Sequence, residues 1–281
     1  MNLRYSARRW TVYDNFEYRL DNYLKWKDLT QTVHVDTLWN EVSNEQEHRK
    51  HNRVENTVGL DYHIAGQSYV GGRYMLTLDT RNRMDLSSTN RISADGQPYD
   101  LLRTDGQERG HSNPSHLFNV YYSGAVGKFK INTDLDYLHS TTETDNAYDE
   151  TSQTGRSRAF SAVSHVNNRL LSLRVSVGHK LWRGDATVGV EYVHTRRYDD
   201  YTSTLGEMPT SQSLLRETQR AAFADYSVLT GVGLFGLGIR AENSEFTFHP
   251  GNGEADVNQS VFRVYPNLSW GIRVGQLQAQ L

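Results

Sequence analysis

The stretch that decides the fold runs Leu171-Ser172-Leu173-Arg174-Val175-Ser176-Val177-Gly178-His179-Lys180-Leu181-Trp182-Arg183-Gly184-Asp185-Ala186-Thr187-Val188-Gly189-Val190-Glu191-Tyr192. Leu171, Leu173, Val175, Val177 and Leu181 fall on odd positions, while Ser172, Arg174, Ser176 and Lys180 fall between them. A period of two puts the first set on one face of a β-strand and the second on the other. Arg183-Gly184-Asp185 then reads as a short turn, since a Gly-Asp pair between two alternating runs is a hairpin signal before it is an adhesion motif. Val188, Val190 and Tyr192 carry the alternation back. The result is a hairpin that is wet on one face and apolar on the other.

The same unit repeats in both directions. Upstream lie Trp10, Val12, Phe16, Tyr18 and Leu20, with a tight turn expected at Asp21-Asn22. Val54, Val58, Leu60, Tyr62 and Ile64 turn at Ala65-Gly66-Gln67 into Val70, Tyr74, Leu76 and Leu78. Phe118, Val120 and Tyr122 pass through Gly124 to Phe129, Ile131, Leu135 and Tyr137. Downstream, Ala222, Ala224, Tyr226 and Val228 turn near Gly231 into Leu237, Ile239 and Ala241, and Phe262, Val264, Leu268 and Trp270 begin a last full strand. Polar stretches at 39–50, 81–114, 140–156, 197–215 and around Pro250-Gly251-Asn252-Gly253 read as long loops, with turn signals at Asp95-Gly96 and Asp105-Gly106. Phe160, Ala162 and Val166 sit on even positions, out of phase with Leu171 onward, and a β-bulge at 167–169 accounts for the switch.

Short turns at one end and long loops at the other are the pattern of an outer-membrane barrel. The expected fold is therefore all-β: an antiparallel up-and-down transmembrane β-barrel segment of about eleven strands, with short periplasmic turns, placing Gly66, Gly124, Gly184 and Gly231 at that end, and long extracellular loops. Only 37% of the 281 residues are hydrophobic, which suits a wall in which only alternate residues meet lipid. No apolar run is long enough for a spanning helix, which needs roughly 18 residues. The 30 Lys+Arg balance 33 Asp+Glu, so no cationic excess points to nucleic acid. The 17 Tyr and 5 Trp suit interfacial girdles. There is no cysteine.

Several segments resemble the barrel of TonB-dependent outer-membrane receptors, in particular the outer-membrane β-barrel group common in Bacteroidetes. They are Arg216-Glu217-Thr218-Gln219-Arg220-Ala221-Ala222-Phe223-Ala224-Asp225-Tyr226, Leu237-Gly238-Ile239-Arg240-Ala241-Glu242-Asn243 and Phe262-Arg263-Val264-Tyr265-Pro266-Asn267-Leu268-Ser269-Trp270, with weaker matches at Val58-Gly59-Leu60-Asp61-Tyr62, Asn119-Val120-Tyr121-Tyr122 and Gly189-Val190-Glu191-Tyr192. The resemblance implies a larger barrel of about twenty-two strands with a plug, powered through the TonB complex, in the outer membrane of a Gram-negative bacterium. On that expectation residues 1–281 are one partial barrel domain, with signal, plug and terminal strands lying outside it and the chain stopping at Gln278-Ala279-Gln280-Leu281.

Candidate ligand contacts are the charged residues of the polar faces: Asp61, Arg73, Arg174, Glu191, Asp225, Arg240 and Arg263. They would point into the lumen. The alternative, ordinary wall residues in a wet interior, stays open for each. His48 and His51 flank Arg49-Lys50, whose charges oppose a metal ion, and Asp134/Asp136 read as solvated carboxylates rather than an acid/base pair. Ser112-Asn113-Pro114-Ser115-His116 lacks the glycine-flanked nucleophile turn of a hydrolase. No enzyme, metal or cofactor is expected. The expected partners are outer-membrane lipid, the TonB complex and a ligand that is a small molecule, an oligosaccharide or a peptide. A small passive porin-like barrel and a soluble β-rich surface or binding protein remain alternatives.

Overall fold

The computed structural model describes every residue except 113, 207–209, 252, 275, 276 and 281. Thirteen strands make one antiparallel sheet: β1 (Asn2–Ala7), β2 (Trp10–His34), β3 (Leu38–Ala65), β4 (Ser68–Ala94), β5 (Gln97–Ser112), β6 (Ser115–Val126), β7 (Phe129–Ser152), β8 (Arg158–Leu181), β9 (Gly184–Ser203), β10 (Ser211–Thr230), β11 (Gly233–Pro250), β12 (Val257–Val274) and β13 (Leu277–Gln280). β5 and β6 share one place in the wall: the upper halves of β4 and β7 pair with β5, the lower halves with β6. Pro114 sits at the joint, where a residue without an N–H cannot continue the ladder. With β5 and β6 counted as one, twelve strands run up and down in chain order.

The expected hairpin between 10 and 38 does not form. β2 passes straight through Asp21-Asn22, which pair with His51 and Lys50. A turn dipeptide reverses the chain only where the ladder ends, and here every flanking residue has a partner on β3. The first true turn of that pair lies beyond His34. Asp105-Gly106 likewise stays inside β5, opposite Ser87 and Leu86. Asp95-Gly96 is a turn, with φ of 47° and 78° at its two residues, the backbone that an Asp-Gly type I′ connection requires. Gly66 and Gly231 lie in turns, but Gly124 and Gly184 are strand residues beside the turns at Gly127-Lys128 and Trp182-Arg183.

The polar stretches read as loops are strands too. Residues 39–50 are the first half of β3, 81–112 complete β4 and make β5, and 140–152 extend β7. Of the other two, residues 207–209 and Asn252 lie outside the described residues, as does Leu281 of the terminal segment. β3 has 28 residues, about 90 Å along the strand, whereas a barrel strand needs only about 9–11 to cross a membrane. The excess is a palisade standing beyond the apolar band. Its cross-strand pairs include Ser43 with Asn90, Asn44 with Asp28 and Lys27 with Glu45, the polar counterpart of packing in an antiparallel sheet.

The bulge expected at 167–169 is absent. Asn167, Asn168 and Arg169 pair with Thr141, Ser140 and His139 in unbroken register. Phe160, Ala162 and Val166 therefore sit on the inner face, opposite in sense to Leu171 and Val175. The reason is a change of surroundings along one strand. In the band, apolar residues face outward; in the palisade both faces meet water, and apolar groups gain by covering one another on the inner face. There Phe160 stacks on Tyr148 with ring centroids 5.1 Å apart, and Ala162 is buried. Register shifts fall elsewhere instead: at Thr80, beside Asn52 and Arg53, at Ile64 next to the β3–β4 turn, and at Tyr99 on β5.

Among the described residues the sheet has no second layer. There the only buried apolar residues are Met84, Ala162 and Ala221, while Val188, Val190, Leu237, Ile239 and Leu268 are each more than half exposed. Apolar faces packed against each other, as in a soluble sandwich, are thus not found among the described residues. The apolar band is bounded near the turns by Trp10 against Tyr62, Phe129 against His179 and Trp182 against Tyr226. At its far side stand Tyr74 against Phe118, and Tyr137. Phe129 and Tyr137 are eight positions apart, about 27 Å along β7. That is the girdle spacing of a wall set in hydrocarbon.

Val175 and Leu237 lie between those girdles. Val175→Lys or Leu237→Lys is expected to cost about 2–4 kcal/mol in bilayer-folded protein, against within about 0.5 kcal/mol for Asn267→Lys on the inner face. Urea unfolding from vesicles measures the difference, and equal costs would mean that the faces are assigned wrongly.

Candidate functional site

Register alone brings most of the candidate residues onto one surface. A single cross-strand row reads Asp61, Gly71, Tyr121, Asp134, Arg174, Glu191, Ala221, Glu242 and Arg263 from β3 to β12. Residues opposite one another in a ladder share a face, so Asp61, Arg174, Glu191 and Arg263 share the inner one. Arg240 and Asp225 lie on the same face, opposite Phe223 and Gly238. Arg73 lies there too, opposite Gly59 and Asn119.

The structure joins three of the seven directly. Glu191 forms an ion pair with Arg174 Nε at 3.2 Å and accepts a hydrogen bond from Arg240 Nη1 at 2.5 Å, and Arg240 Nε donates to Glu242 at 3.1 Å. Four charged groups from β8, β9 and β11 form one chain of alternating sign. The guanidinium of Arg174 also lies 5.1 Å from the ring centre of Phe223. That ring covers Gly189, where an added Cβ would come within 2.3 Å of it. The glycine is what lets the ring lie flat on the wall and present its face to the arginine.

The remaining candidates are spread out. Asp61, four wall positions from Arg174 along the row, accepts a short hydrogen bond from the Tyr121 hydroxyl. Arg73, Asp225 and Arg263 have no side-chain partner among the described residues and are exposed. Asp134 and Asp136, read from sequence as solvated, are tied together: the amide of Asn119, the most buried side chain, donates to Asp134 at 2.7 Å and to Asp136 at 2.8 Å. Tyr121, Phe223 and Asn119 carry no charge and so escape a reading of the polar faces by charge. The usable signal was an aromatic or amide residue in the polar phase of a strand; Tyr121 and Phe223 also lie opposite a glycine.

A space of about 260 Å³ opens beside this row, lined by Tyr69, Tyr121, Ser123, Asn132, Asp134 and Arg174 among others. Its walls offer donors, acceptors and ring faces in one place. No group of three or more metal-ligating side chains converges among the described residues. His51 Nε2 instead meets Asp79 at 2.9 Å, beside Arg53. The geometry suits contact with a polar solute.

No protein-family model and no curated protein matches the chain. Solved structures do. The copper transporter OprC superposes on 95% of this chain with a TM-score of 0.53 at 10% identity, using 43% of its own length. The outer membrane protease OmpT of Escherichia coli covers 92% of this chain and 93% of its own, with a TM-score of 0.34 at 10% identity. The translocator domain of the autotransporter NalP from Neisseria meningitidis covers 96% and 79%, at 0.32 and 13%. The chain has the fold of an outer-membrane β-barrel wall. It spans less than half of OprC, and at this identity the likeness is one of fold.

Two outcomes are expected from this geometry. In a double-mutant cycle, Glu191→Gln and Arg240→Gln are expected to couple by about 0.5–3 kcal/mol, since they share one bonded chain; additive costs in urea unfolding would separate them. The second concerns the palisade, where Lys27 donates to Glu45 at 2.6 Å and to Glu47. The bond to Glu45, then that to Glu47, raises the Lys27 amine, and the Lys27 bond holds the Glu47 carboxyl below its ordinary 4.5. Glu47 thus contributes order above the ordinary carboxylate value and loses it as pH falls through its lowered one; Lys27 contributes below its ordinary value and loses it as pH rises through its raised one. Amide protection factors at 25–27 and 45–47 are expected to hold at neutral pH and drop once the pH passes below 4.5. Lys27→Met should abolish that drop, and a drop that persists in the variant would assign it to other groups.

Proposed function

We propose that this chain is part of the wall of a TonB-dependent outer-membrane receptor, which takes up a scarce nutrient with energy supplied from the inner membrane. The observation that carries the reading is the inner face: a bonded row of charges, Arg174, Glu191, Arg240 and Glu242, held at mid-wall and flanked by exposed Asp225 and Arg263. Such a row serves a passing polar solute, or the surface of a plug, better than it serves stability, because charges on a wet wall add little to folding. The segments that resemble the receptor family, Arg216 to Tyr226, Leu237 to Asn243 and Phe262 to Trp270, fall on β10, β11 and β12, which form this part of the wall. That the chain superposes on part of a transporter barrel is consistent with the same reading.

In this account the palisade receives the solute, the inner face guides it, and the wall performs no covalent chemistry. Lipid of the outer membrane meets the apolar band, and the TonB complex acts through a part of the protein outside residues 1–281. The test compares parent cells with cells lacking the gene, and each with an otherwise identical strain lacking TonB, by mass spectrometry of the growth medium. Expected is at least one solute removed only by cells that have both the gene and TonB. Removal that continues without TonB would replace the proposal with a passive channel.

A further inference from the structure

We infer that the outer face of β8, β9 and β10, just beyond the apolar band, binds a phosphate-bearing lipid of the outer leaflet. The inference rests on the outer-membrane reading and adds a specific lipid site to it. One cross-strand row on the outer face reads His116, His139, Arg169, Arg196 and Arg216, from β6 to β10. Arg169 is two residues beyond Leu171, a member of the apolar face that also carries Val175 and Val177. Arg196 stands four residues beyond Tyr192 and Arg216 six residues before Ala222, in the same phase.

The three arginines face one another directly on adjacent strands, which lie about 4.8 Å apart. Like charges placed so are destabilising in a sheet unless something lies between them. Nothing among the described residues does. All three are exposed, and none has a carboxylate or hydrogen-bond partner among the described residues. Glu245, the carboxylate on the neighbouring strand, is already bonded to Arg220 at 2.7 Å. Glu143 and Asp200 of the same face lie opposite His165, four residues farther along β8, about 13 Å from Arg169. On the inner face the opposite arrangement holds, where Arg197 is neutralised by Asp199 at 2.8 Å.

Three unpaired guanidinium groups in a patch about 10 Å wide match an anion with several oxygen acceptors, and phosphate takes the bidentate fork of arginine well. The surface below decides which phosphate. Leu171, Tyr137 and Phe118 stand under Arg169, His139 and His116 and are about two-fifths exposed or more, whereas under Arg196 and Arg216 the bonded pair His194 and Thr218 comes first and the exposed Val190 and Val188 follow farther down β9. A ligand that fits both parts carries a phosphorylated headgroup above acyl chains, and lies against the wall with the phosphate at the arginine row. A free anion would use the row without the apolar surface.

The test uses the full chain in detergent and three probes: bis-phosphorylated lipid A, the same lipid without its phosphates, and inorganic phosphate. The parent is expected to hold the phosphorylated lipid about ten-fold more tightly than the dephosphorylated one by native mass spectrometry, with inorganic phosphate competing only in large excess. Replacing Arg169, Arg196 and Arg216 together by Gln should abolish the preference, while replacing all three by Lys should retain most of it. If the triple Gln variant does not fold, judged by heat-dependent gel mobility, the single variant Arg196→Gln decides, and a clear fall in preference is expected. Equal binding of both lipids by the parent, unchanged preference in the Gln variants, or competition by inorganic phosphate at the lipid's own concentration would overturn the site. Those outcomes leave the wall reading intact. A parent that is monodisperse without detergent would overturn the wall reading itself.

Discussion

Inside a bilayer every backbone N–H and C=O must find a partner within the protein, and this chain meets that demand sideways, strand to strand. The rest of the structure follows from the ladder. Because the partners are lateral, side chains are free to alternate, and each strand in the band offers one face to hydrocarbon and the other to the interior. Because the ladder does not depend on lipid, it continues past the band: β2, β3 and β4 each carry 25 or more residues in strand. The price of continuing is that the palisade must hold its order by polar pairs and small aromatic contacts in place of lipid contact, as Lys27 with Glu45 and Tyr148 with Phe160 do.

The ladder also explains how charges are sorted. A register that holds from β7 to β12 without a break sets residues of the same phase in rows, so a charge on one strand is answered or opposed by its neighbours. On the inner face the row alternates in sign around Glu191 and closes on itself. On the outer face, just past the apolar band, three arginines stand side by side with no carboxylate or hydrogen-bond partner among the described residues. The difference between those two rows is the difference between a lumen that the protein organises and a surface that its surroundings complete.

How much of this was legible in the sequence depends on contrast between faces. From Val54 to Leu78 and from Phe118 to Tyr137, and again from Leu171 onward, alternation of apolar and polar residues marked the strands and their faces, and the chosen inner-face residues Asp61, Arg174, Glu191 and Arg263 do lie on one row. Residues 39–50 and 81–114 read as loops in the sequence because a strand wet on both faces has no alternation to show. Asp21-Asn22 and Asp105-Gly106 looked like turns because local turn chemistry says nothing about whether a partner strand continues past it. The switch of phase near Asn167 comes from the change of surroundings along β8, whereas the register shift at Thr80 falls between the apolar run that ends at Leu78 and the polar stretch from 81, with no apolar pattern to betray it. Tyr121, Phe223 and Asn119 escaped because their roles depend on a neighbouring strand's glycine or carboxylates, which only the register reveals.

The central claim is that one continuous ladder carries an apolar outer face over the band and water on both faces above it. The chain has no cysteine, so single cysteines placed along β7 from Phe129 to Ser152 can each carry a spin label. Collision with oxygen, which prefers lipid, and with a water-soluble nickel chelate would be measured in vesicles. The account expects the oxygen signal to alternate with a period of two between 129 and 137, high on odd positions, and the nickel signal to be high on both phases from about 141 to 152 while label mobility stays that of an ordered strand. Oxygen alternation running through to 152, or free label motion beyond 140, would contradict it.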